Sequence, residues 1–177
     1  MNTNTGKTIL AGLFAALICV GAFIRVPLLF VPMTLQFFFV NFAVLFQERR
    51  YGVLSVLTYL LLGLAGLPVF AGGGGISYVL HPTFGYLIGF LLSAVVSGSL
   101  KNHLVCMVRG YALLSMLNIF FVHVCGLSYF YCLSNFYLGN QISLPRLLVV
   151  GSLVFLPNDI LSGVLSSFLA VKIRDIR

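Results

Sequence analysis

The chain is 177 residues long, 60% hydrophobic and only 7% charged, with a formal net charge of +7 and a mean hydropathy of +1.12. Ordinary soluble domains are about one quarter charged, and a soluble domain of this length could not hide so much apolar surface, because surface grows nearly as fast as volume. The composition excludes a soluble globular protein and predicts one compact helical domain in a lipid bilayer.

A membrane-spanning helix needs about 20 predominantly apolar residues. In chain order, six such segments are predicted, over about residues 8–30, 33–46, 51–67, 83–100, 110–134 and 146–171. The expected fold class is therefore an all-α integral membrane protein with six transmembrane helices. The second segment is short, which fits a tilted or sheltered helix. Breaks are expected at Pro27 and Pro32, at Glu48 to Arg50, from Pro68 to Pro82, from Lys101 to Arg109 and from Gly139 to Pro145. A membrane β-barrel is excluded, since its strands would alternate apolar and polar residues.

The first segment follows Lys7 as a signal peptide would, but its apolar run passes Gly21 and no cleavage pattern precedes a polar mature segment. Gly6-Lys7-Thr8 lacks the upstream glycine and strand of a phosphate-binding loop, so any ATP is expected on another subunit. Ala11 and Ala15, like Gly12 and Ala16, are small residues four apart, a spacing that lets helices approach closely. The partner helix could belong to this chain or to another subunit.

Six spans starting inside place Lys7, Arg49, Arg50, Lys101, Arg109, Lys172, Arg174 and Arg177 on one side, eight of the 10 basic residues. The positive-inside rule makes that side cytoplasmic, with both termini. Arg25 and Arg146 fall toward the other side. Topology thus accounts for the net charge, and no nucleic-acid partner is implied.

Polar residues inside apolar segments are the candidate site. Asp159 lies within the sixth segment, where a charge costs at least about 2.5 kcal/mol on insertion scales. It must face a polar cavity, find partners or be protonated. Pro157 and Asn158 precede it, and a helix break at membrane depth is tolerated where it lines a cavity. Thr34 and Gln36 open the second segment. Gly72, Gly73, Gly74 and Gly75 permit positive φ and close approach to a ligand, so the segment reads as a pocket lid or as a plain flexible turn. Cys19, Cys106, Cys125 and Cys132 form no C-x-x-C pair and read as small apolar residues. His81, His103 and His123 are scattered through three segments and read as interfacial or packing residues. No metal, cofactor or catalytic cluster is expected.

The strings PMTLQ (32–36), YLLLGLAGLPVFAGGGG (59–75), HPTFGYLIGFL (81–91) and FLPNDILSGVLSSFLA (155–170) closely resemble the BioY family, the biotin-specific S-components of energy-coupling-factor transporters. The resemblance covers most of the chain. It implies a six-helix S-component fold in a bacterial inner (plasma) membrane. It also implies biotin bound near the extracellular side, and partnership with a transmembrane coupling protein and two cytoplasmic ATPases. It assigns the coupling contact to the first helix, at Ala11 and Ala15. The chain departs from the family pattern at Asn158, where glycine is usual, at Ser162, where a ligand-site lysine is usual, and at His81 and Phe84, where glycines are usual. The candidate biotin contacts are then Asp159, Asn158, Ser162, Thr34, Gln36 and the Gly72–Gly75 backbone, with Tyr86 packing on the fused rings. Arg25 or Arg146 is the basic candidate for the biotin carboxylate. Rival readings are an S-component for another vitamin, a solitary carrier independent of ATPases, and, more remotely, an intramembrane enzyme.

Overall fold

A computed structural model of the chain describes residues 3–26, 33–104, 108–139 and 141–175. The expected breaks at Pro27 and Pro32, Cys106, Arg177 and part of the 101–109 loop lie outside the described residues.

Among the described residues the fold consists of six helical rods. The first, α1 (Asn4–Phe23), is capped by the Thr3 side chain, which accepts from the Gly6 N–H. It ends seven residues earlier than the first predicted segment. Ile24 is extended, its carbonyl accepts from Leu35 N–H at 3.0 Å, and Arg25–Val26 (β1) pairs antiparallel with Met33–Thr34 (β2). Val26 precedes proline, which disfavours helical backbone. The second helix, α2 (Gln36–Phe46), is 11 residues long and so rises only about 16 Å, too short to cross a bilayer alone. Next come α3 (Arg49–Leu64), α4 (Phe84–Leu104) and α5 (Val108–Cys132), the last prolonged by a π-helical turn to Tyr137.

The sixth rod is broken. It comprises α6 (Leu144–Leu148), a π-helical turn (Val149–Leu153) and α7 (Leu156–Asp175). Pro157 has no N–H to give the preceding turn, and the chain restarts there. Among the described residues, four runs, Asn4–Phe23, Phe84–Leu104, Arg109–Tyr137 and Leu144–Ile173, are long and apolar enough to cross a membrane.

Small residues set the closest helix contact. A Cβ on Gly89 of α4 would lie 2.7 Å from Val122 Cα of α5, and one on Gly85 would overlap Tyr129. This Gly-x-x-x-Gly face lets α4 lie directly on α5, as membrane helices without a hydrophobic driving force require. Side chains of α1–α5 form the main core around Ile18, Val40, Val56, Tyr59 and Phe90.

A second bond between helices is polar. Asn41 of α2 donates to Ser115 of α5 at 2.7 Å and to Ser166 of α7 at 2.6 Å, and it accepts from Asn118 at 2.6 Å. Ser97 of α4 donates to Asn118, and Ser115 meets Ser167 at 2.8 Å. Asn41 and Asn118 are fully buried, so every group in this seam must find its partner within the protein.

Basic turns meet at one end of the bundle. Lys7 pairs with Glu48 at 2.5 Å, and Lys101 donates to the Gln47 carbonyl at 2.8 Å. The β1–β2 ribbon and the 65–83 segment close the other end, and the candidate site lies beneath them.

Candidate functional site

A cleft with about 590 Å³ of empty space, counted out to its open mouth, lies between the β ribbon, α2, the 65–83 segment, α4, α5 and the start of α7. Phe37, Leu87, Phe90, Val122 and Phe155 supply apolar walls, and Thr34, Gln36, Tyr78, Thr83, Asn158 and Asp159 supply the polar groups.

Asp159 is the most constrained of these. It occupies the first turn of α7 and not the middle of a helix, because the break at Pro157 resets the helix start. The positive end of a helix dipole favours a carboxylate there by about 0.3–1 kcal/mol. Oδ2 accepts from His123 Nε2 of α5 at 3.0 Å, and Oδ1 is 3.4 Å from the Asn158 amide. Both partners hold the acid, and Oδ1 is the more weakly engaged oxygen. His123 and Asp159 are each buried, and His123 Nδ1 finds no partner among the described residues.

The other polar groups are held in place from behind. Gln36 Nε2 donates to Tyr59 OH at 2.8 Å, and Asn158 donates to the Thr34 carbonyl at 3.2 Å. Asn158 thus ties α7 to β2. Tyr86 gives its hydroxyl to the Gly151 carbonyl at 2.5 Å. That carbonyl lies in the π-helical turn, where the regular bonding of the helix is interrupted.

Thr34, Gln36, Tyr86, Asn158 and Asp159 therefore come together as expected candidates in one cavity. Four other groups of candidates stand elsewhere. Gly72 to Gly75 do not line it; their neighbour Ala71 does. They act one layer behind: Gly73 and Gly75 take φ of 128° and 98°, Gly75 donates to the Gly63 carbonyl at 2.7 Å, and Gly72 donates to Tyr78 OH at 3.3 Å. Ser162 is buried a turn beyond Asp159, below the cavity, and its carbonyl accepts from Ser166. Arg25 is exposed on β1 opposite Thr34, at the rim.

Ala11 and Ala15 lie on the inward face of α1. They are 1% and 2% exposed, inside the contacts of α1 with its own chain. One residue round the helix, Gly12 and Ala16 are exposed beside Leu13 and Val20. Both small pairs have the same spacing, and only the packed structure tells which one faces inward.

His123 is the principal residue that sequence reasoning missed. It reads as a packing histidine on α5, yet it is the partner of the buried acid. The only signal available was its ionisable side chain within an apolar span, the same signal that marked Asp159. Tyr78 and Thr83 were missed as well, because the 65–83 segment folds back over the cavity in a way its composition does not specify.

The profile of the BioY family matches residues 1–177. A probable biotin transporter BioY of Lysinibacillus sphaericus is 37% identical over 171 residues, 96% of this chain and 87% of that protein. A biotin transporter BioY of Thermotoga maritima is 36% identical over 176 residues, 95% of each chain. A crystal structure of the S-component for biotin from an ECF-type ABC transporter superposes with a TM-score of 0.84 at 28% identity, covering 99% of this chain and 94% of that one.

Proposed function

This chain belongs to the BioY family, and from that premise we propose that it is the biotin-specificity component of an energy-coupling-factor transporter. The observation that carries this reading is the cavity itself: apolar walls around one buried carboxylate whose Oδ1 is only weakly engaged by the Asn158 amide. Biotin has a fused apolar bicycle, two ureido N–H donors and a carbonyl. Asp159 Oδ1 accepting from one ureido N–H makes a charge-assisted bond, roughly twice as strong as a neutral one. Phe37, Phe90 and Phe155 suit the bicycle, and the second N–H of Gln36 Nε2, whose first goes to Tyr59 OH, suits the carbonyl. The valerate carboxylate would point to the open mouth, where Arg25 stands on β1.

The multi-pass helical architecture places the protein in a membrane, and we assign it to a bacterial inner (plasma) membrane. The meeting of Lys7, Arg49 and Lys101 at one end favours both termini on the cytoplasmic side, with the cavity toward the outside. The chain offers no nucleotide-binding motif, which supports delivery of ATP energy by a coupling protein and two cytoplasmic ATPases. On α1, the exposed Gly12 and Ala16 replace Ala11 and Ala15 as the face for the coupling protein, since only an exposed small pair can admit a second helix.

The test is ligand-dependent melting of the purified protein with biotin, thiamine and riboflavin. Biotin alone is expected to raise the melting temperature. A rise with another vitamin and none with biotin would show that the departures at Asn158 and Ser162 have changed the ligand.

A further inference from the structure

His81 lies behind the cavity wall, where neither the biotin contacts nor the partner face uses it. It closes the 3-10 turn Ile76–Leu80 with φ −94° and ψ 137°, the extended backbone that the following Pro82 favours. That conformation brings His81 Nδ1 to 3.3 Å from the Thr83 backbone nitrogen and 2.7 Å from Thr83 Oγ1. A backbone N–H can only donate. Nδ1 must therefore present its lone pair, and the neutral ring carries its proton on Nε2.

Direction then propagates along the contacts. Thr83 Oγ1 gives its proton to Nδ1, so it accepts from Tyr78 OH at 2.8 Å. Tyr78 OH in turn accepts from Gly72 N–H at 3.3 Å. The chain runs one way, from Gly72 N–H through Tyr78 and Thr83 to the His81 lone pair. Tyr78 and Thr83 both line the cavity, and with their protons committed each can offer a ligand only a lone pair.

We propose that His81 is a specificity-determining positioning residue. In its neutral form it locks Tyr78 and Thr83 as acceptors toward the cavity, selecting a ligand with N–H donors. When protonated it reverses Thr83 and turns that wall to donation. The proposal rests on the biotin reading only for the identity of the donor-bearing ligand.

The surroundings favour the neutral form. Burial holds the imidazole below its usual range and pushes the Tyr78 hydroxyl up. Tyr78 stacks on the ring, with centroids 4.8 Å apart. Arg25 of β1 is the cation whose charge reaches Tyr78. Tyr129 of α5 commits its hydroxyl to the Val79 carbonyl. Among the described residues no carboxylate pairs with His81. Because the bound arrangement needs the unprotonated ring, binding is complete above the ordinary imidazole range and is lost as pH falls through the lowered value.

The experiment titrates biotin into the native protein and H81N by calorimetry across the acid to neutral range. Asparagine keeps an acceptor near the Nδ1 position and cannot take a proton. On acidification native affinity is expected to fall about tenfold relative to that of H81N, the loss of roughly one hydrogen bond. A flat native profile, or an H81N profile that falls in parallel, overturns the proposal. A change common to both proteins cancels in that ratio. Nitrogen NMR of the ring decides the tautomer without ligand: Nδ1 unprotonated at neutral pH is expected, and Nδ1 protonated overturns the proposal. A folded native protein that binds no biotin at any pH would instead refute the biotin reading, and the ring tautomer would still decide the chain.

Discussion

At the scale of single residues, Asp159 is tolerated at membrane depth because three groups share it: the start of α7, the Asn158 amide and His123. Removing the donor to a buried carboxylate leaves an acceptor unsatisfied and costs more than an ordinary hydrogen bond contributes. H123A is therefore expected to weaken biotin binding by about tenfold or more and to lower the melting temperature. Ser162 is three residues beyond Asp159 on the same helix, a spacing that brings side chains together. A lysine there should reach the acid, so S162K in the H123A background is expected to restore much of the affinity, measured by calorimetry. No rescue in a folded double variant would mean that His123 acts by packing alone. Asp159, Asn158, Thr34, Gln36 and Tyr86 were legible in the sequence because each is polar, or polar-tipped, in an apolar setting or carries the family motif. His123 was not, since its partner is 36 positions away and the rotation of α5 against α7 is fixed by packing over the whole interface.

At the scale of elements, the breaks in the chain were legible and their form was not. Proline and glycine clusters announce where helices stop, as at Pro157 and at Gly72–Gly75. Nothing in the composition announces the π-helical turns at 133–137 and 149–153, or that α1 stops at Phe23. The α4–α5 contact gives an element-scale prediction. A side chain at position 89 would start 2.7 Å from Val122 Cα. G89V therefore forces the helices apart and is expected to destabilise the fold by about 1–3 kcal/mol, read as a lowered melting temperature. An unchanged melting temperature would show that this interface is loose. G75A must accommodate a side chain at φ 98° and ψ 166°, a strain of about 1–3 kcal/mol. It is expected to lower protection of the 65–83 backbone in hydrogen exchange and to leave the α4–α5 amides unchanged.

At the scale of the whole molecule, two ends of one bundle are divided by chemistry. Basic turns gather at one end, the cavity opens at the other, and the Asn41–Asn118 seam ties four helices together between them. Composition and charge made the membrane class and the six-rod plan legible. They could not say which small pair on α1 faces out. That distinction predicts a separation of functions. A16L, on the exposed face, is expected to leave biotin affinity unchanged and to abolish ATPase-dependent uptake in reconstituted vesicles. A11L, at a position 1% exposed, overfills the interior and is expected to lower stability by about 1–3 kcal/mol. Uptake that persists in A16L would move the coupling face elsewhere.

The most direct test of the account is calorimetric titration of biotin into the purified native protein and into D159N, with both shown folded by circular dichroism. The account predicts saturable one-to-one binding by the native protein and at least about tenfold weaker binding by D159N, which loses the charge that strengthens the ureido bond. Equal affinity in the two would contradict it, because the cavity would then hold biotin without the group around which it is built.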